Sequence, residues 1–139
     1  MSKYHPKLKT PFCGKLGIEY PIIQTGMGWV STSKLTAATS AAGAIGFLAT
    51  ATQTFDEMKN AVREIKELTD RPFGINVRTD SPDIDERLTW AIQQGIKVVS
   101  FAQAPSPEMV KKLSDNGAVS YTHLRAHETR EERHFRDLR

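Results

Sequence analysis

The sequence predicts an α/β fold, a parallel sheet covered by helices, on three observations. Four near-continuous apolar runs, PIIQTGM (21–27), AIGFLAT (44–50), PFGINV (72–77) and KVVSFAQ (97–103), have the composition of strands buried on both faces. Each is followed by a segment with helix-start and helix-stop residues, the order expected of βα units. The strand starts are spaced by about 23 to 28 residues; units so short and regular favour a (β/α)8 barrel over a doubly wound sheet, although the pattern alone does not decide between them.

The elements follow in order. After 21–27, Ser31-Thr32-Ser33 offers a hydroxyl N-cap to an Ala-rich helix that Gly43 closes. After 44–50, TFDEMKNAVREIKELTD (54–70) repeats Phe55, Met58, Val62, Ile65 and Leu68 at spacings of three and four, a helix with one buried stripe. Asp56 and Glu57 in its first turn suit the positive end of the helix dipole. The third helix, DIDERLTWAIQQG (83–95), has Pro82 at its start and Gly95 at its end, with Trp90 at the margin of its buried stripe. The fourth, PSPEMVKKLSDNG (105–117), opens on Ser and Pro and closes on Asn-Gly. A fifth strand begins at Ala118-Val119-Ser120.

Composition narrows the function. The chain has 139 residues and a charged fraction of 25%, ordinary for a modest globular domain. The N-terminus carries no apolar signal core and the apolar runs are too short to span a bilayer, so a cytoplasmic protein with no membrane partner is expected. The single cysteine, Cys13, excludes an internal disulfide and a multi-cysteine metal site, and is expected to be inert. The formal charge of +3 comes from the ends; between them the lysines are scattered among acids, with no basic stripe interleaved with aromatics, so nucleic acid is not an expected partner.

A barrel of this kind places its chemistry at the C-terminal strand ends. Here these read Gln24-Thr25-Gly26-Met27-Gly28, Ala49-Thr50-Ala51-Thr52, Asn76-Val77-Arg78 and Ala102-Gln103. They offer glycine, amide and hydroxyl, with no carboxylate pair, Ser-His arrangement or metal cluster: a surface that binds a planar molecule through backbone contacts and neutral hydrogen bonds. Gly-Met-Gly alone also reads as a turn with a core methionine, and Asn76 as a strand-end cap. Arg78 reads as a solvated loop residue and Trp29 as a packing residue.

IEYPIIQTGMGWVST, GAIGFLATAT, LTDRPFGINV and VVSFAQAPSPEMVKKL, in that order and spacing, resemble the N-terminal half of the nitronate monooxygenase family, formerly 2-nitropropane dioxygenases, over Leu16 to Val119. The resemblance implies an FMN-dependent TIM barrel whose intact form oxidises alkyl nitronates with dioxygen. The flavin-dependent enoyl-ACP reductases are similar and share the opening strand, which makes them the alternative. By the same resemblance Gln24, Gly26, Met27 and Gly28 lie against the flavin, and the Asn76 amide bonds the isoalloxazine edge. Glycine lets backbone approach a flat ring, and asparagine supplies donor and acceptor without charge. Gly26 stands where many relatives have proline, which is expected to loosen the turn. The family's catalytic histidine falls on a later strand, so no catalytic residue is assigned here.

After Ser120 the composition changes. Residues 121–139 hold three of the four histidines and five of the nine arginines but none of the ten lysines. His123 and His127 are four apart, yet HLRAHE is not a zinc-binding HExxH, and a solvated Arg/Glu-laced helix or a disordered end is the plainer reading. SYTHLRAHET also reads as translated adapter sequence joined to a truncated gene. The expected organisation is therefore residues 1–120, four βα units of a half barrel, and residues 121–139, a non-native basic tail. Such a half barrel, about half of the ~250 residues a TIM barrel needs, exposes sheet edges on strands one and four and is expected to be inactive by itself and to self-associate. A basic tail that contacts nucleic acid is the remaining alternative.

Overall fold

The computed structural model describes residues 8–122. A short helix α1 (Pro11–Leu16) precedes five βα-type strands: β1 (Ile23–Gln24), β2 (Ile45–Ala49), β3 (Gly74–Val77), β4 (Val98–Phe101) and β5 (Val119–Thr122). The strands alternate with helices α2 (Ser33–Ala41), α3 (Phe55–Leu68), α4 (Ile84–Gln93) and α5 (Pro107–Asp115). All strand pairs are parallel and the sheet order is β1-β2-β3-β4-β5. Sequential parallel neighbours are what a barrel segment requires. The four expected units are present, and His123 and His127 lie outside the described residues.

Two features differ from the expectation. The helix α1 was hidden because six residues opening on proline and containing Gly14 carry no readable periodicity. The fifth strand runs further than expected, Val119–Thr122: Tyr121 and Thr122, good strand formers, pair in register with Ser100 and Phe101. Among the described residues the sheet therefore ends at β1 and at β5.

Parallel partners share a face of the sheet, and the register separates two cores. Leu48, Ile75, Val77, Val99 and Phe101 meet Met58, Val62 and Ile65 of α3, Leu88 and Ala91 of α4, and Leu113 of α5. On the other face, Ile45, Phe47 and Val98 meet Cys13 and Leu16 of α1 and Ile18. The short helix therefore covers the inner face near the N-terminal strand ends, and Cys13 is buried there. Two glycines make the layers fit. A Cβ on Gly74 would overlap Phe47 Cε1 and stand 2.7 Å from Cδ1 and Cζ of the same ring, so Phe47 occupies the space that a side chain at 74 would need. A Cβ on Gly46 would stand 2.8 Å from Thr36 Cα, so α2 lies directly on β2.

The helices start where their caps are. Thr54 and Glu57 form a reciprocal capping box on α3, which holds the Glu57 carboxyl below its ordinary range, chiefly through the bond from the Thr54 backbone N–H. Thr32 and Ser106 cap α2 and α5. Met58, Val62 and Ile65 are fully buried, each contributing at most about 1.5–3 kcal/mol of apolar burial. Leu68, the last residue of the expected stripe and of α3, is exposed. Trp90 does sit at the margin of its stripe, edge-on to Phe55 at 6.1 Å. Trp29 does not pack: it is 83% exposed, projecting from the loop after β1.

Two glycine substitutions test this packing in opposite directions. Gly46→Ala forces the α2 backbone away from β2 and is expected to cost about 1–3 kcal/mol, whereas Gly14→Ala, in a helix with open space beside it, is expected to gain roughly 0.5–1 kcal/mol. Urea denaturation of the two variants checks both signs.

Candidate functional site

Because every strand is parallel, the four predicted strand-end segments lie at one pole. Their proximity is specific. A Cβ on Gly26 would stand 2.6 Å from Asn76 Cγ and 2.9 Å from Asn76 Oδ1, so the turn after β1 rests directly on the Asn76 side chain. This gives Gly26 a packing role of its own. Its φ is not positive, and its hydrogen is needed for close approach. Any side chain at 26, a proline ring included, would require Asn76 to move.

Asn76 is the junction of three strands. Its carbonyl accepts from the Thr50 N–H at 3.1 Å and from the Thr50 hydroxyl at 2.8 Å, tying β3 to the end of β2. Its Nδ2 donates to Ser100 Oγ at 2.7 Å and reaches the Ser100 carbonyl at 3.4 Å, tying β3 to β4. Thr50, Asn76 and Ser100 are all buried. The strand-end cap and the ligand-facing amide, left open by the sequence, are thus compatible: the backbone carbonyl caps, and the side chain is held at the pole.

The Gln24–Gly28 segment is knit by Ser31. The Ser31 hydroxyl donates to the Thr25 carbonyl at 2.9 Å and accepts from the Met27 N–H at 2.8 Å. Gln24 Nε2 donates to Ser31 Oγ at 2.9 Å, to the Phe47 carbonyl at 3.3 Å and to the Thr25 carbonyl. Gln24 Oε1 is buried with no hydrogen-bond partner among the described residues. Beyond this frame the turn opens: Gly28 has φ +39° with nothing near its Cβ position, and Met27 is 42% exposed.

Two residues of this pole, Ser100 and Arg87, escaped the sequence reading. Arg87 of α4 is buried, yet its Nη1 and Nη2 donate to the carbonyls of Thr50 (3.2 Å) and Gln53 (2.8 Å), so a helix side chain holds the loop after β2. Its Nε lies 2.8 Å from Asp83 Oδ2, close enough for an ion pair though not aligned as a hydrogen bond. An arginine among acids on an amphipathic helix reads as solvated; only the carbonyls it meets across the fold reveal otherwise. Arg78 is exposed, as expected of a solvated loop residue, and forms a two-pronged pair with Asp80 at 2.9 and 2.6 Å. Gln103 reaches the same carboxylate at 3.4 Å and accepts from Thr79 at 3.0 Å. The Arg78 hydrogen bonds push the Asp80 carboxyl down to about 2.

The fold and site define a β/α-barrel segment with a neutral, amide-rich site at its C-terminal strand ends. Residues 9–131 match the family described as nitronate monooxygenase, and the chain belongs to that family. It is 45% identical over 113 residues, 81% of this chain, to a (3aS,4S,5R,7aS)-5-hydroxy-7a-methyl-1-oxo-octahydro-1H-indene-4-carboxyl-CoA dehydrogenase of Mycobacterium tuberculosis, of which those residues cover 32%. It is 41% identical over 71 residues to a nitronate monooxygenase of Pseudomonas aeruginosa, covering 51% of this chain and 20% of that protein. Among solved structures, FabK from Thermotoga maritima superposes with a TM-score of 0.78 at 32% identity, covering 82% of this chain and 37% of that one. A nitroalkane oxidase from Streptomyces ansochromogenes superposes at 0.69 and 27% identity, covering 76% of this chain and 40% of that one. The chain therefore spans about a third of the length of the dehydrogenase it resembles. No helix among the described residues is long and apolar enough to cross a membrane.

Two outcomes check the pole. Replacing Arg87 by Met strands the Thr50 and Gln53 carbonyls and leaves Asp83 unpaired, at an expected cost of about 3 kcal/mol or more in chemical denaturation. The Asp80 carboxyl, held below its ordinary value of 3.8 when folded, contributes stability that is fully present above pH 3.8 and is lost as the pH falls toward 2. In Asp80→Asn the pH dependence of stability should flatten in that window, as read from acid titrations of the two forms.

Proposed function

We propose that the full-length protein is a flavin-dependent oxidoreductase, with FMN at the strand-end pole, acting on an acyl thioester. The observation that carries the substrate class is the 45% identity over 81% of this chain to a dehydrogenase of a carboxyl-CoA compound. A second such dehydrogenase, from Rhodococcus jostii, is 43% identical over a similar span. The sequence resemblance to enoyl-ACP reductases points to the same thioester class. The nitronate reading is kept as the second, favoured by the family match and by relatives named as nitronate monooxygenases.

The donor set supports a flavin. The exposed Met27–Gly28 turn leaves open ground beside it. The buried Gln24 Oε1 lacks a donor, and the Asn76 amide is neutral and fixed. A flat heteroaromatic edge with alternating N–H and C=O groups matches such a surface, and a strongly charged group does not. When bound, FMN supplies the acceptor for the substrate's electron pair. Gln24, Gly26, Met27, Gly28 and Asn76 would hold and orient its ring and keep water from one face. The Arg78–Asp80 pair is engaged with itself, which makes it a strut rather than an acid or base. The proton-transfer group and the cofactor's phosphate site belong to segments beyond β5. We also retain a cytoplasmic location and a non-native tail after residue 120 as parts of this proposal.

The test uses the full-length protein beside residues 1–139. The full-length protein is expected to show flavin absorbance and to oxidise or reduce an acyl-CoA with an added electron acceptor or nicotinamide. Oxygen uptake with an alkyl nitronate, and none with thioesters, would establish the second reading instead. Absence of flavin, with no uptake of added FMN, sinks both. Residues 1–139 alone are expected to retain no FMN, to turn over neither substrate and to run above monomer mass, because open edges on β1 and β5 invite pairing.

A further inference from the structure

An asparagine carries a donor and an acceptor of nearly equal size, and the groups behind it decide which of the two faces a ligand. Behind Asn76 stands β4. Asn76 Nδ2 lies 2.7 Å from Ser100 Oγ and 3.4 Å from the Ser100 carbonyl. The hydroxyl could serve either partner, but a carbonyl only accepts. The amide nitrogen is therefore turned into β4, and Oδ1 lies on the Gly26 side, where a Cβ at 26 would stand 2.9 Å from it. Ser100 is fully buried, so water does not compete for its hydroxyl.

We propose that Ser100 is a positioning residue: it turns Asn76 so that an acceptor, Oδ1, faces the pole, and the site thereby selects a ligand that presents a ring N–H there. This rests on the flavin reading, because the oxidised isoalloxazine carries a single ring N–H, at N3 between two carbonyls. Asn76 thus acts as acceptor from a cyclic imide and not as donor to a ring carbonyl. Methylation of N3 removes that donor while leaving the rest of the ring unchanged, and a site built around a buried polar group rejects an analogue that leaves the group unpaired.

The experiment titrates the full-length protein with FMN and with N3-methyl-FMN, followed by flavin fluorescence. The wild type is expected to prefer FMN by about tenfold or more. Ser100→Ala removes the 2.7 Å hydroxyl anchor and leaves only the carbonyl at 3.4 Å to hold the amide, so the preference should weaken to about threefold or less, and Ser100→Thr, which keeps the hydroxyl, should restore it. Asn76→Ala should abolish it; a preference that survives there comes from a steric clash elsewhere and overturns the inference. Equal binding of both flavins by the wild type overturns it too, while leaving the flavin reading intact. A folded Ser100→Ala protein with undiminished preference removes Ser100 from the role. If Ser100→Ala does not fold, the wild-type and Asn76→Ala titrations decide. Failure of the wild type to take up either flavin rejects the flavin reading and this inference together.

Discussion

The pole of this fold hangs on one buried amide. Asn76 receives Thr50 at its carbonyl, gives its Nδ2 to Ser100, and carries the Gly26 backbone on its side chain. Strand ends in a parallel sheet have no ladder partner beyond their last residue, so their polar groups must be satisfied by whatever comes next. Here one residue joins three neighbouring strands, its backbone carbonyl accepting from Thr50 after β2 and its side chain donating to Ser100 of β4, and the site's geometry follows from it. The turn after β1 is then stiffened from its own side by Ser31, which bonds both Thr25 and Met27.

Arg87 supplies the complementary support from outside the sheet. Burying a guanidinium is costly unless its donors are used, and the Thr50 and Gln53 carbonyls use two of them. The charge lies 5.9 Å from the Phe55 ring and beside Asp83, both on or next to the helices that flank the loop. The loop after β2 is thus fastened at its first residue to Asn76 and at both ends to Arg87. A rigid loop at the C-terminal end of a barrel strand is the condition for holding a ligand within a fraction of an ångström.

Most of the fold was legible because apolar runs and cap residues are local signals. Thr32, Thr54 and Ser106 cap the helices that the sequence places after them. What stayed hidden was long-range. Leu68 shares a helical stripe with Ile65 yet faces water at the end of α3. Trp29 reads as core by composition but leaves the surface on a loop whose shape Ser31 dictates. For the site, Gln24, Gly26, Met27, Gly28 and Asn76 were assigned by resemblance alone, and the parallel sheet gathers them at one pole. Ser100 and Arg87 were not found, because a serine inside VVSF and an arginine inside DERL show no pattern until strands and helices are brought together.

Gly26 above Asn76 and Gly74 above Phe47 each share one volume between two residues that are far apart in the chain. Neither member of such a pair can drift alone. A lineage that acquires alanine at 74 must first, or soon after, trim the ring at 47, and one that acquires proline at 26 must reshape the side chain at 76. Substitutions within each pair therefore combine non-additively, so related chains are expected to vary at these positions in matched steps, leaving a record of co-variation across the sheet.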